Sequence, residues 1–217
     1  MSKSVKIEFV SDISCTWCAI GIKSLEAAIA AVGPEIEVDV HFQPFELNPD
    51  MPAGGQNLTE HIGQKYGSSP ASWATSRESI RQRGDAVGFT FNLSEDSRIY
   101  NTFDAHRLLH WARLEGKQVE LKRALMTAHF SEGQDPGDPG VLIRAAVTAG
   151  LNAETARSIL GSDAYIEEVR RLEKRWMQEG VRVVPTLVLN GAQRVEGSLP
   201  AKSYEQLIRE AAASTTV

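Results

Sequence analysis

The two cysteines of this chain, Cys15 and Cys18, lie where a strand pattern gives way to a helix pattern. In residues 5–10, apolar side chains alternate with charged ones, which predicts a half-buried strand. After the cysteines, apolar side chains recur at helical spacing until Gly33-Pro34, a pair of residues that ends a helix. We therefore expect Cys15 at the start of a helix and Cys18 one turn further along.

The rest of the chain divides into three stretches of different character. Residues 36–42 alternate again and predict a second strand, which closes a strand–helix–strand unit with a right-handed crossover. The proline- and glycine-rich residues 43–58 predict a connection without regular structure. Between residues 57 and 180, proline, glycine and capping residues, among them the Asp138-Pro139 cap, mark the starts and stops of five or six helices, and the last of these is expected to begin near Ser162. The last stretch predicts a hairpin, with strands at 186–189 and 193–196 around the Asn190-Gly191 turn, followed by a closing helix.

This order of elements, βαβ followed by a helical block and then ββα, indicates a thioredoxin-like topology with an insertion. The predicted fold class is α/β, a thioredoxin-like fold with an α-helical domain inserted between the βαβ and ββα halves. We expect the thioredoxin-like domain in residues 1–56 and 178–217, and the inserted helical domain in residues 57–177.

Several segments carry a more specific resemblance. They are residues 11–21, 45–52, 101–102, 105–112 and 184–186. In this order they resemble the DsbA family of thiol-disulfide oxidoreductases, in particular its FrnE-like branch. The chain departs from that branch in carrying Thr16 where proline is more usual and Val183 where glycine is more usual.

Length, charge and hydropathy narrow the function classes. The 217 residues suffice for one composite domain, and 42% hydrophobic residues can form a real core. A net charge of -5 opposes a chain-wide attraction to nucleic acid or to anionic membranes. No apolar run approaches the ~20 residues of a spanning helix, and the N-terminal segment lacks a signal-peptide pattern. We therefore expect a cytoplasmic protein without nucleic-acid or membrane partners.

The cysteine spacing points to redox chemistry. In a reducing compartment, two cysteines separated by two residues favour a redox-active dithiol over a structural disulfide. Thiol–disulfide exchange needs one thiolate that attacks and a second thiol that resolves the mixed disulfide. Because a helix N-terminus stabilises a thiolate, we assign Cys15 as the nucleophile and Cys18 as the resolving thiol. A pair of inert buried thiols is the alternative, which the strand–turn–helix context disfavours.

Four more residues are expected to bind the substrate. Thr16 and Trp17 separate the cysteines and carry no charge, so we expect a weaker oxidant than the periplasmic members of the family. Trp17 offers either an apolar face to the substrate or packing against the inserted helices. Pro185 interrupts a run that otherwise predicts a strand. The resemblance implies a cis proline facing the cysteines, with the backbone of Val184 free to pair with an extended substrate. We expect Val184 and Pro185 to form one wall of a groove whose other side comes from Trp17 and the inserted helices. A trans proline at the first strand residue is the alternative.

Metal and cofactor binding are not expected. His106 and His110 lie one helical turn apart, a spacing that permits metal binding, but no acidic residue follows in the zinc-protease pattern. Both histidines also lie in a segment that resembles the helical domain of the family. We therefore expect core or groove-lining roles for them.

The sequence thus predicts a cytoplasmic thiol-disulfide oxidoreductase that acts on protein or peptide disulfides, with glutathione or a thioredoxin-type protein as reductant. Glutathione-dependent isomerases and kappa-type transferases share the scaffold, but typically carry serine at the position of Cys15 and lack the second cysteine. A peptide-binding, chaperone-like module or a metal-binding protein is the third hypothesis. The direction of electron flow stays open between oxidation, reduction and isomerisation.

Overall fold

The computed structural model describes residues 3–214. Its strands are β1 (Lys3–Ser11), β2 (Ile36–Pro44), β3 (Gln56–Asn57), β4 (Arg98–Ile99), β5 (Thr186–Leu189) and β6 (Gln193–Glu196). Its helices are α1 (Thr16–Val32), α2 (Leu58–Tyr66), α3 (Pro70–Ala86), α4 (Phe103–Leu114), α5 (Gln118–Met126), α6 (Pro139–Thr148), α7 (Ala153–Leu160), α8 (Ile166–Gln178) and α9 (Ala201–Ser214). The predicted order of βαβ, helical block and ββα is confirmed.

Both ends of the chain build one four-stranded sheet in the order β2-β1-β5-β6. The central strand β1 pairs in parallel with β2 and antiparallel with β5, and the hairpin partner β6 lies outside β5. In this register Phe9 lies between Phe42 and Leu187. The rings of Phe9 and Phe42 meet edge to face, with centroids 5.7 Å apart. The sheet is therefore apolar at Phe9, whereas Glu8 and Gln43, which hydrogen-bond at 3.2 Å, are buried polar residues of the same two strands.

Local sequence signals explain the ends of these elements. Cys15 has extended backbone angles and caps α1, so the helix begins at the next residue. Gly33 has a φ of 67°, which ends α1 before a short 3-10 turn leads into β2. At the hairpin, Asn190 and Gly191 have φ values of 49° and 70°, as a two-residue turn of the expected type requires.

The helical block departs from the prediction in three places. Among the described residues it holds seven helices, α2 to α8, where five or six were expected. Gly67 ends α2 in the left-handed conformation and Ser69 caps α3, so two helices follow each other almost directly. The helix α8 begins at Ile166, after the expected position near Ser162. The segment predicted to be irregular also contributes β3, which pairs with β4.

The helical block has an apolar core of its own. The fully buried side chains at its centre are Leu108, Leu121, Leu125 and Leu142. Ile13, from the loop that carries the cysteines, is fully buried in the same cluster. The loop after β1 is thus held by the helical block, whereas α1 packs against the sheet and α9.

One helical segment has the length and composition of a membrane span. Residues Thr16–Glu35 include a window with a mean hydropathy of 1.2, contrary to the expectation that no apolar run reaches such a length. Half of this window is buried within the fold. Core helices have the same properties, because burial against a sheet also selects apolar side chains.

Candidate active site

Cys15 lies at the N-terminal end of α1, in contact with two different parts of the chain. Its Sγ accepts a hydrogen bond from the backbone N–H of Cys18 at 3.3 Å. The same sulfur lies 3.7 Å from the carbonyl oxygen of Val184, to which its S–H donates. Only 6% of Cys15 is exposed. A negative sulfur at this position is stabilised by helix N–H groups that have no carbonyl partner.

Cys18 lies in the first turn of α1 and has no exposed surface. Both cysteines are free thiols. Burial raises the pKa of Cys18 well above its ordinary value, and the neighbouring Cys15 raises it further, whereas the positive charge of Lys122 lowers it. Cys15 is therefore the sulfur nearer the surface, and Cys18 is a buried thiol that holds its proton.

The loop before β5 packs directly on α1. The Val184–Pro185 peptide bond is cis, and both residues are buried. A Cβ atom on Gly21 would lie 3.3 Å from Pro185, from Phe9 and from Ser198. Glycine at this position therefore lets the loop approach the helix closely, which keeps the Val184 carbonyl beside Cys15.

A cavity of about 380 Å³ opens beside Cys15, and Thr16 and Trp17 also line it. Its other walls include aromatic side chains of the helical block and its loops: Tyr66, Trp73, Tyr100 and Phe130. Trp17 is 39% exposed, and the Arg83 guanidinium lies 5.1 Å from the centre of its ring. Trp17 thus faces the cavity and also contacts α3. Val184 and Pro185 do not line this cavity, which differs from the expectation of one shared groove.

Comparisons with known proteins agree with this geometry. The model of the DSBA-like thioredoxin domain matches residues 6–209. This chain belongs to the DSBA-like thioredoxin domain family. A probable DsbA oxidoreductase from Streptomyces coelicolor has a solved structure that is 32% identical in sequence, with a TM-score of 0.88 over 98% of this chain and 92% of that one.

One sequence relative and one protein of similar fold extend the comparison. The uncharacterized protein YwbO of Bacillus subtilis (strain 168) is 27% identical over 208 residues, which is 95% of this chain and 97% of that protein. The cytosolic disulfide reductase DsbM from Pseudomonas aeruginosa, solved with GSH, is 17% identical, with a TM-score of 0.60 and 96% coverage of both chains. DsbM shares the fold of the DsbA-like family with this chain.

In this DsbA-like site, Asp12 joins the cysteine loop to the helical block. Its carboxylate accepts hydrogen bonds from the Leu47 N–H at 2.7 Å, the Thr102 hydroxyl at 2.7 Å and the Ser14 hydroxyl at 3.0 Å. His106 Nε2 lies 3.5 Å from the same carboxylate. Burial alone would raise the pKa of Asp12, but His106 and these donors hold it well below its usual range.

Lys122, on α5, is buried behind the cysteines. It is 1% exposed, and its Nζ has no hydrogen-bond partner among the described residues. Burial lowers the pKa of Lys122 to about 8, although the negative charges of Cys18, Asp12 and Cys15 act in the opposite direction. The sequence analysis did not identify Lys122 or Asp12 as site residues, because no sequence pattern around either residue indicates that its side chain is buried.

The histidines take different positions in the helical block. His106 is 2% exposed and contacts Asp12, which is a core role. His110 is partly exposed, and its ring lies 5.1 Å from that of Tyr165. Within residues 3–214, no group of three or more His, Cys, Asp or Glu side chains is placed to hold a metal ion.

Proposed function

We propose that this protein is a thiol-disulfide oxidoreductase that acts on protein or peptide disulfides through the Cys15–Cys18 couple. The observation that carries the proposal is the asymmetry of the two sulfurs. Cys15 caps a helix beside an aromatic cavity, whereas Cys18 is fully buried one turn away. An attacking thiol and a protected resolving thiol need these two environments.

In the reductive direction, the reaction has two displacements. The Cys15 thiolate attacks one sulfur of the substrate disulfide, forms a mixed disulfide and releases the other sulfur as a thiolate. Cys18 then loses its proton and attacks Cys15, which forms the Cys15–Cys18 disulfide and releases the second substrate thiol. Two electrons pass from the protein dithiol to the substrate. The same steps run in reverse when the protein acts as an oxidant.

The cavity supports a peptide-sized substrate. About 380 Å³ is within the range of roughly 300–1,000 Å³ for small-ligand pockets, so it holds a few side chains and not a folded domain. Trp17 and Thr16 provide its contacts next to the reactive sulfur. The backbone of Val184, on the other side of Cys15, is proposed to pair with an extended substrate.

Reductant, compartment and subfamily belong to the same proposal. Glutathione or a thioredoxin-type protein is proposed as the reductant, supported by the shared fold with DsbM, which was solved with GSH. We further propose a cytoplasmic location and membership of the FrnE-like branch, on the motifs of residues 11–21 and 105–112. The helical domain of residues 57–177 is proposed to shape the cavity, and the remainder to carry the cysteines.

The test uses a peptide with one disulfide and the two reciprocal variants Cys15→Ser and Cys18→Ser. The wild-type dithiol should reduce the peptide, and Cys15→Ser should be inactive. Cys18→Ser should retain one half of the peptide as a mixed disulfide, which intact-mass spectrometry detects. A peptide attached to Cys18 in the Cys15→Ser protein would reverse the assigned roles. Full turnover by Cys18→Ser with glutathione would favour the isomerase or transferase class instead.

A further inference from the structure

A second groove runs along the outer edge of β2 and has a volume of about 440 Å³. It shares no residue with the cavity beside Cys15. Its apolar floor is formed by side chains of α1, β2 and α5, namely Ile22, Leu25, Ile29, Val38, Val40 and Val119. A volume of this size holds several side chains, so the groove has room for a short stretch of extended chain.

The backbone along this groove has unused hydrogen-bonding groups. β2 is the outermost strand of the sheet and pairs only with β1 among the described strands. The N–H and C=O of Phe42 point away from β1, because both bond the side-chain amide of Gln118 at 2.9 Å. Since these groups repeat their direction every two residues along a strand, those of Ile36, Val38 and Val40 point the same way. Gln118 thus completes one rung of the edge, and the preceding rungs are open.

The charges on β2 oppose its pairing with a second copy of this chain. Because Gln118 occupies Phe42, two antiparallel copies of β2 share two or more open rungs only when their pairing is centred on Glu37, Val38 or Asp39. A centre at Val38 places Glu37 opposite Asp39 of the second copy, and a centre at either acid places that acid opposite itself. Like charges directly opposite each other destabilise a sheet, so the edge fits a different chain.

The same charges favour a basic side chain at one end of the groove. Asp39 has Lys6 opposite it on β1. Glu37 is exposed, has the uncharged Ser4 opposite it on β1, and forms no ion pair within residues 3–214. Arg113 lines the groove toward the C-terminal end of β2, where further positive charge is disfavoured. The unmatched acid is therefore Glu37, and a basic residue opposite it would supply its partner.

We propose that the outer edge of β2 binds an extended peptide segment of a partner protein, which adds a fifth strand to the sheet. The backbone of the segment bonds the open rungs, its apolar side chains lie in the groove, and a basic side chain lies opposite Glu37. In such strand addition, the backbone bonds supply affinity and alternate side chains supply specificity. The inference goes beyond the proposed thiol–disulfide exchange and does not depend on it.

Amide hydrogen exchange measured by NMR tests the strand addition directly. The probe is acetyl-Val-Lys-Val-Lys-Val-amide, which has the same pattern in both directions and contains no cysteine. In the free protein, the N–H groups of Val38 and Val40 should exchange quickly, and those of Glu37 and Asp39, which point to β1, slowly. At a peptide concentration ten times the dissociation constant, exchange at Val38 and Val40 should slow about tenfold. A peptide with every backbone nitrogen methylated is the control and should protect neither.

Charge reversal tests the position of the basic residue. Glu37→Lys should weaken the binding of the lysine peptide at least about threefold, and should strengthen that of acetyl-Val-Glu-Val-Glu-Val-amide by a similar factor. The matched control is Glu196→Lys, which makes the same change of charge at an exposed residue of β6, on the opposite edge of the sheet. Calorimetry should show that the control leaves both affinities unchanged.

Three results would overturn the proposal. They are unchanged exchange at Val38 and Val40 in millimolar peptide, equal binding of the methylated peptide, and protection that depends on protein concentration alone, which would assign the edge to a second copy. The variant Cys15→Ser separates this proposal from the enzyme function. It should bind the lysine peptide like wild type although it is inactive in thiol–disulfide exchange, and loss of that binding would assign the peptide to the cavity beside Cys15 instead.

Discussion

The sheet side and the helical side of the cysteine pair differ in what they bury. Toward the sheet, Cys18 packs near side chains such as Phe9 and Ile7, which have no exposed surface and no charge. Toward the helical block, buried side chains include ionisable groups, namely Asp12, His106, Arg107 and Lys122. The reactive sulfurs therefore come from one part of the molecule, and the charges that act on them come largely from the boundary with the other. The helical block thus contributes buried ionisable side chains, His106 and Lys122, to the surroundings of the cysteine pair.

Removing the carboxylate of Asp12, at that boundary, should have the largest effect on the free energy of unfolding. Asp12→Ala leaves the Leu47 N–H and the Thr102 hydroxyl without their acceptor, and it removes the carboxylate that lies 3.5 Å from His106. We expect the free energy of unfolding to fall by about 3–5 kcal/mol in urea titrations at pH 7. Asp50→Ala, at an exposed aspartate, is the control and should change it by less than about 0.5 kcal/mol.

The pH dependence of that effect has a definite sign. Because the pKa of Asp12 is lower in the folded state than in the unfolded state, its stabilisation is fully present above about pH 4. It is lost as pH falls toward the folded pKa. The difference between wild type and Asp12→Ala should therefore shrink below about pH 4, and a constant difference down to pH 2 would contradict the assignment.

Substitutions at two glycines compare how tightly the helical block and the sheet side are packed. A Cβ on Gly84, in the helical block, would lie 2.4 Å from Phe91 and 2.5 Å from the Phe89 carbonyl oxygen. On Gly21, beside the sheet, the nearest atoms would be 3.3 Å away. We expect Gly84→Ala to cost about 1–3 kcal/mol in thermal or urea unfolding, and Gly21→Ala less. The opposite order would show that the helical block adapts more readily than the sheet.

Substitution of Thr16, between the two cysteines, should have the smallest effect. It should change only the reduction potential of the cysteine pair. Thr16→His adds a positive partner near the thiolate and Thr16→Pro restores the residue more usual in the FrnE-like branch. Each should move the reduction potential by tens of millivolts, where about 30 mV corresponds to ~1.4 kcal/mol for a two-electron couple. Equilibration with glutathione measures the shift. If the reduction potential were unchanged in both variants, it would be set by the buried ionisable side chains toward the helical block and not by Thr16.

The sequence predicted those parts of the fold that local signals determine. Gly33-Pro34, the Asp138-Pro139 cap and the Asn190-Gly191 turn each act within a few residues, and each has the predicted effect in the structure. The start of β1 alternates between buried and exposed residues as predicted, but residues 7–11 are all buried, because β1 is a central strand that is covered on both faces. The position of Cys15 at the start of α1 could be predicted because it too depends on neighbouring residues.

Other features of the structure depend on contacts between residues far apart in the chain, so the local sequence does not predict them. The two-residue strands β3 and β4 are too short to show alternation, and they exist only because they pair. Lys122 lies next to Arg123 in a charged segment typical of a solvated face, yet one of the two is buried and the other exposed. Which face of α5 meets β2 is decided by tertiary packing, so the charge behind the cysteines was not predictable.

The pairing of β1 with β5 sets an order of events during synthesis. Cys15 and Val184, which face each other in the finished protein, are separated by 169 positions in the chain. A ribosome therefore exposes both thiols long before it makes the segment that contacts them, and contacts between such distant residues form slowly. A nascent chain that extends past residue 18 but stops short of residue 184 carries both cysteines and lacks the segment that contacts Cys15.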